Sequence, residues 1–580
     1  MKIKEISENE ILIEVEDITK YQNLLNHYVI FRDSHVIVGE IFKIKGNTLF
    51  IRLIGEFINQ KFVSGINNKP SINAMINVAD SNITNMITSF DNDINGLYLG
   101  KCKSLNNNIF MNLNKFASSH FSIIGGTGSG KSWAFSRIIQ NIFSKNPVPN
   151  NASLFVFDTY GEYYPSFANI EKTNPEILFK NYSTNTQEEA NLLRIPPYLL
   201  DVDDLAILLN ATDQNQLRIL DKALEIVKIF KSPTDDIAAL KNDIIARAIT
   251  DILLSGKPSV QIRDQIISIL SFYHTEELNL DTEIFQPGYT RTLKNCLVID
   301  NNGKIAEIEL LTKFFTDFFV DKIPTKKDIL IEYSLEDLEM AIDFALINEG
   351  VFKSEKIYDN NNLLKVRIHN LVDSSYKKYF DFNTIVNKQE YINSLLTRDG
   401  KKCQLVNFNI NYVDDRFGKN IVKILSKMIF DVAKAITPRG SSSFHIILEE
   451  AHRYVQNDND VKLLGYNIFD RIAKEGRKYG ILLGLITQRP SELSENVISQ
   501  CNNFLIFKLS HPLDIDYIAK MIPYLDDENL KKIKILQPGD CYIFGSAFKL
   551  SLILTIDIPN PTPISNNIDV STIWYKKNSN

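Results

Sequence analysis

Residues 125–132 read Gly-Gly-Thr-Gly-Ser-Gly-Lys-Ser, which fits the pattern G-x-x-x-x-G-K-[ST]. Each residue type answers a need of phosphate binding. Glycines let successive backbone N–H groups curl around phosphate oxygens with no Cβ in the way. A helix starting here aims its positive N-terminus at the same oxygens. The expected nucleotide cradle is therefore Gly125, Gly126, Thr127, Gly128, Ser129, Gly130, Lys131 and Ser132, with Trp133 behind it. Lys131 is expected to reach the β and γ phosphates, and the Ser132 hydroxyl to bind Mg²⁺.

Such a cradle needs an acid at the end of another buried strand. The run Phe444-His-Ile-Ile-Leu-Glu-Glu450 supplies two. Glu449 is expected to contact Mg²⁺, and Glu450 to polarise the attacking water as general base. The bland alternative is a pair of carboxylates facing solvent at a strand end. Asp158 and Glu162, in Phe157-Asp-Thr-Tyr-Gly-Glu-Tyr, end a further apolar strand. Glu162 is a second candidate base, although a capping aspartate and a turn glutamate explain the pair as well. Gln488, in Thr487-Gln-Arg-Pro490, is well placed to sense the γ-phosphate, and Pro490 stops its strand.

These residues need a scaffold, and the chain offers one. Residues 121–124 predict a short buried strand, 131–143 a helix and 153–158 the next buried strand. Strand, helix and strand built from apolar runs predict a parallel α/β sheet. The texture returns at 404–409, with a long helix over 414–436 and strands near 444–448, 480–487, 504–509 and 540–544. Between 195 and 400, apolar residues recur at helical spacing, as in Gln216-Leu-Arg-Ile-Leu-Asp-Lys-Ala-Leu, although 296–308 reads as strand-like. Residues 1–100 carry short β-branched runs with turns between them, which predict a small barrel or sandwich. The Asn/Ser/Asp-rich stretch 64–95 reads as loop, and prolines after 558 predict an extended tail.

The motif series resembles the HerA ATPases. It is carried by residues 125–132, Phe157-Asp-Thr-Tyr-Gly-Glu, Leu448-Glu-Glu-Ala-His-Arg, Ile472-Ala-Lys-Glu-Gly-Arg-Lys-Tyr-Gly, Thr487-Gln-Arg-Pro-Ser-Glu-Leu-Ser and Val497-Ile-Ser-Gln-Cys-Asn. Val38-Gly-Glu-Ile resembles the family's N-terminal barrel, and Leu536-Gln-Pro-Gly-Asp its last core strand. The resemblance implies an α/β fold: a RecA-like P-loop ATPase core with an N-terminal small β-barrel and a helical insertion. The corresponding parts are 1–100 for the barrel, 101–195 and 401–558 for the core, 196–400 for the insertion and 559–580 for the tail. It also implies ATP and Mg²⁺ as cofactors, a homohexameric ring with ATP sites between subunits, and translocation on double-stranded DNA. Partners implied are a nuclease of the NurA type or another effector, in DNA end processing or anti-phage defence. A ring of this kind needs a cation from the neighbouring subunit. Arg477 is the expected finger and Arg471 the runner-up, although a basic helix end is also an ordinary dipole partner.

Composition sets the outer limits. The 580 residues carry a net charge of -6, so nothing global advertises a nucleic-acid binder, yet an acidic exterior is compatible with a basic lumen. With 44% hydrophobic and 23% charged residues the chain can build real cores. The five cysteines form no CxxC pair, which points to neither a zinc site nor a disulfide framework. No signal peptide or membrane span is read, so a soluble, cytoplasmic protein is expected. Two other readings keep the same motifs: a motor that moves protein, and a scaffold whose nucleotide state gates an effector.

Overall fold

The computed structural model describes residues 1–7, 10–232, 237–320, 330–349, 355–456, 458–522, 525, 527–564, 570 and 574. Pro233 and most of the tail beyond residue 564 lie outside them. The chain divides into two compact units: residues 1–183, 392–457 and 468–580, and residues 184–391 with 458–467.

The first unit is built on an 11-stranded sheet. Its spatial order begins Phe179–Ser183, Leu405–Asn409, Leu154–Asp158, Phe444–Glu449, Ile481–Thr487, His120–Ile124, Cys501–Ile506, all parallel. Antiparallel strands Asp540–Gly545, Leu552–Ile556, Gly96–Cys102 and Asn107–Asn112 complete it. Every residue of His120–Ile124, Leu154–Asp158 and Ile481–Thr487 is buried, as expected of parallel strands covered on both faces. The helix Lys131–Phe143 covers one face, burying Ala134, Phe135, Ile138, Ile139 and Phe143 at helical spacing. The helix Asp415–Ala435 opens on Asp414, whose carboxylate accepts from the Arg416 and Phe417 amides.

Register is what positions chemistry here. Ile124 pairs with Thr487, Ile486 with Glu449, Leu448 with Phe157, and Asp158 with Asn409. Five strands thus end level at one sheet edge, and the strand Ile481–Thr487 lies between the two that end in Ile124 and Glu449.

The N-terminal strands form a separate seven-stranded antiparallel sheet. Its long strands Val36–Lys45 and Thr48–Ile58 pair across a tight turn at Gly46, where φ is +56°. Register shifts at Val38/Gly39 and Ile41/Lys43 bend it. At Gly39 a Cβ would lie 2.3 Å from the Ile51 Cγ2, so glycine is what lets the strands close up. Ile11, Ile13, Val29, Phe31, Ile41 and Ile51 fill one side of the sheet. Among the described residues no pairing joins Lys2–Ile6 to Met75–Val78, so the pairing path is open.

The second unit is mainly helical. The helix Gln214–Lys231 packs on Leu335–Glu349; Leu220, Ala223, Leu224, Leu338 and Ile342 are buried on these helices, and Phe230, Tyr273 and Phe344 form one aromatic cluster.

Two expectations need correction. Residues 296–308 are not a strand: Cys296 ends the short helix Leu293–Cys296, only an isolated bridge joins Ile299 to Ile305, and the helix Ile308–Thr316 follows. Of the β-branched residues there only Ile305 is buried, and Val298 and Ile308 are exposed, so the run has no sheet face to pack. Residues 64–95 are not all loop either. They hold the strand Met75–Val78 and the helix Ser81–Thr88, capped by Asp80, whose side chain accepts from the Ile83 amide at 2.8 Å. Polar composition masked the cap signal.

Candidate functional site

The loop 125–132 leaves the strand His120–Ile124 and enters the helix Lys131–Phe143. Backbone bonds pin it from both sides: the Gly125 N–H donates to the Thr487 carbonyl at 3.2 Å and the Gly126 N–H to that of Lys508 at 2.8 Å. Gly128 and Gly130 take φ of +71° and +111°, which side chains rarely adopt. A Cβ on Gly125 would stand 2.5 Å from the Phe507 Cβ. The Ser129 hydroxyl is buried without a hydrogen-bond partner. No side chain caps the helix start, so its first amides keep their donors for a ligand. Lys131 is buried and folds back to the Gly126 carbonyl at 3.1 Å. Burial lowers its pKa, against the pull of Glu450, Glu449 and Glu162, in that order. The charges of the three acids therefore act on the ammonium.

Glu449 ends its strand fully enclosed. Its Oε2 accepts from the Thr159 N–H at 3.0 Å, and its carbonyl from the Thr159 hydroxyl at 2.8 Å. The same hydroxyl lies 2.9 Å from the Tyr454 hydroxyl. Glu449 also shares a hydrogen bond with Asp158. Burial pushes both carboxyls up. Asp158 accepts from the Glu162 and Tyr163 amides, each at 3.0 Å, and from Asn407 Nδ2 at 3.3 Å, and these bonds favour its charged form against the burial. Asp158 is thus a buried brace for the loop that presents Glu162. Burial, then Asp158, raises the Glu162 pKa, and the Ser132 hydroxyl hydrogen-bonds its carboxylate.

Glu450 adopts φ 48° and ψ 49°, a left-handed conformation rare outside glycine. The turn aims its carboxyl back toward Lys131. Burial raises its pKa, opposed first by Lys131 and then by the Gln488 amide. The Gln488 Oε1 accepts from the Thr127 hydroxyl at 2.6 Å, joining the glycine loop to the strand beside it.

The structure therefore brings Lys131, Ser132, Glu449, Glu450, Glu162, Thr127 and Gln488 to one edge. Arg477 is elsewhere. It lies on the exposed turn Gly476–Tyr479, which feeds the start of Ile481–Thr487, and seven residues of strand at about 3.3 Å each put it about 20 Å from the end that meets the loop. Arg471 lies 3.8 Å from Glu475 and over the Phe430 ring. Motif reading missed Thr159, Tyr454, His452 and Arg489. Arg489 pairs with Glu492 at 2.8 Å and its charge acts on Glu450. Thr159, His452 and Arg489 lie inside quoted motifs and Tyr454 directly follows one, which was the available signal.

A glycine nest, a helix N-terminus and a buried lysine suit a triphosphate. Ser132 and Glu449 are hard oxygen donors able to hold a magnesium ion, and the mutually repelling carboxyls around them would be relieved by a cation. Among the described residues no group of three or more His, Cys, Asp or Glu could hold a metal.

A family model described as "Helicase HerA, central domain" matches residues 97–429, more than half of the chain. The chain belongs to the HerA helicase family. It is accordingly an ATP-hydrolysing enzyme. The HerA match starts at the strand Gly96–Cys102 and runs through the first core segment and the second unit into the helix Asp415–Ala435. The DNA double-strand break repair helicase HerA of Pyrococcus furiosus is 23% identical over 455 residues, covering 77% of this chain and 67% of that protein. The probable DNA double-strand break repair helicase HerA of Methanocaldococcus jannaschii is 22% identical over 529 residues, covering 90% and 86%. Among solved structures, VirB4 of Thermoanaerobacter pseudethanolicus aligns with a TM-score of 0.45 at 11% identity, over 81% of this chain and 98% of that one. Among the described residues, no helix is long and apolar enough to cross a membrane.

Proposed function

We propose that the chain is an ATP-driven motor that translocates on double-stranded DNA as a homohexameric ring, with Mg²⁺ at each site and a nuclease or other effector as partner in end processing or defence. The N-terminal sheet would be the barrel of HerA type in that ring. HerA membership and the names of the relatives support the DNA substrate.

The observation that carries the ring is the position of Arg477. It is exposed and sits at the far end of the strand that leads to Gln488, about 20 Å from the loop of its own chain. A cation so placed serves a neighbour's triphosphate rather than its own.

In this reading the amides of 125–132 and Lys131 hold the triphosphate. Glu450 accepts a proton from the attacking water, and Gln488 orients that water against the γ-phosphate. Ser132 and Glu449 would hold Mg²⁺, which when bound neutralises charge on the phosphate oxygens. Arg477 of the next subunit stabilises the charge that develops in transfer, a contribution of roughly 10³–10⁵ in rate.

The test is ATP hydrolysis by the full chain with and without duplex DNA across a salt series. DNA-stimulated turnover whose apparent affinity falls steeply with salt is expected. Turnover indifferent to DNA at every ionic strength would remove the translocase reading.

A further inference from the structure

The strand turn that presents Glu450 also returns a histidine to the same place. His452 sits on the short turn Ala451–Arg453 with its ring buried. Its Nδ1 lies 3.1 Å from the Thr487 Oγ1 and 3.3 Å from the Glu450 Oε2. That carboxylate oxygen is buried and has no hydrogen-bond partner within ordinary geometry. Thr487 Oγ1 already accepts the Arg489 N–H at 3.0 Å. Burial lowers the His452 pKa, so the ring is neutral and carries one N–H. With the proton on Nδ1, the acceptors within reach are the Glu450 carboxyl and the Thr487 hydroxyl, and a carboxylate is the stronger of the two.

The surroundings show what such a contact would fix. The Gln488 amide also bonds the Glu450 carboxylate, and the Gln488 side chain accepts from Thr127 in the glycine loop. The Thr487 carbonyl accepts from Gly125. Residues 487–489 thus touch both the cradle and the carboxylate. Glu450 stands one residue beyond the end of the strand Phe444–Glu449, in a left-handed conformation.

We propose that His452 is a positioning residue whose Nδ1–H holds the Glu450 carboxylate against the Thr487–Gln488 strand end. This rests on the reading of Glu450 as general base. In this role His452 acts through Glu450.

Four full-length variants test it: His452→Leu, His452→Asn, His452→Gln and Glu450→Gln. Asparagine places an amide N–H about where Nδ1 was, whereas glutamine places it near the Nε2 position. Steady-state hydrolysis, binding of a fluorescent ATP analogue and thermal unfolding are measured on each. His452→Leu is expected to lose roughly 10–100-fold in kcat with KM for ATP nearly unchanged. His452→Asn should regain most of the turnover, and His452→Gln should not. Wild-type kcat in His452→Leu overturns the proposal, as does equal loss in the Asn and Gln variants. Should the Leu variant fail to fold, the Asn/Gln contrast decides. If Glu450→Gln turns over normally, the base assignment itself fails. If it is dead while His452→Leu is fully active, only the positioning role fails.

Discussion

Lys131 and Glu450 are opposite charges buried at one sheet edge, each shifting the other's pKa. Removing the ammonium leaves the acids uncompensated and strips the phosphates of a preorganised donor. Lys131→Ala should therefore lower ATP hydrolysis by roughly 10²–10³-fold or more, measured as phosphate release. Glu450→Gln keeps the shape and removes the base. It should bind the ATP analogue with near wild-type affinity while kcat falls by about 10²–10⁴-fold. Loss of binding in parallel with turnover would assign Glu450 to the cradle rather than to proton transfer.

Strands and the loop between them carry the next level. The Thr159 hydroxyl ties the strand ending in Asp158 to the one ending in Glu449, and reaches Tyr454 as well. Thr159→Val keeps the amide bond to Glu449 but strands a buried carbonyl and a buried hydroxyl. A loss of about 1–3 kcal/mol in unfolding free energy is expected, measured by denaturant titration, with a smaller fall in turnover than Glu450→Gln gives. The glycine loop is constrained by sterics in the same region. Gly125→Ala would drive a methyl to 2.5 Å from the Phe507 Cβ. Overpacking of this kind costs about 1–3 kcal/mol. Thermal unfolding should drop and affinity for the ATP analogue should fall together, because the loop cannot shift without breaking its bonds to Thr487 and Lys508.

For the whole molecule, the proposed ring makes Arg477 a property of the assembly. Arg477→Ala should leave analogue binding intact and cripple turnover by roughly 10³-fold or more. Mixed with wild-type protein, it should depress activity more than in proportion to its share. Strictly additive activity in the mixing series would mean that Arg477 does not serve a neighbour. The net charge of -6 sharpens the DNA prediction, since binding must come from a local basic surface and so be steeply salt-dependent.

The sequence by itself determined the parts that depend on local chemistry. The loop 125–132, its helix over 131–143 and the paired carboxylates 449–450 are contiguous signals. Glycine freedom, helix polarity and an apolar strand ending in acid can each be read within a dozen residues. Tertiary structure decided everything that required register. That Glu449 meets Thr159 and Asp158, nearly 300 residues away, follows from two neighbouring strands ending level, and hydrogen-bond pairing between distant segments leaves no mark in either one. The same holds for the strand Gly96–Cys102, which joins the large sheet by pairing with Leu552–Ile556 hundreds of residues away, whereas Asn107–Asn112 adds to it as a local hairpin. His452 shows the limit most sharply. Its type and spacing say only that a histidine follows an acid; a left-handed turn at Glu450 and the end of the strand Ile481–Thr487 place its ring beside the carboxylate.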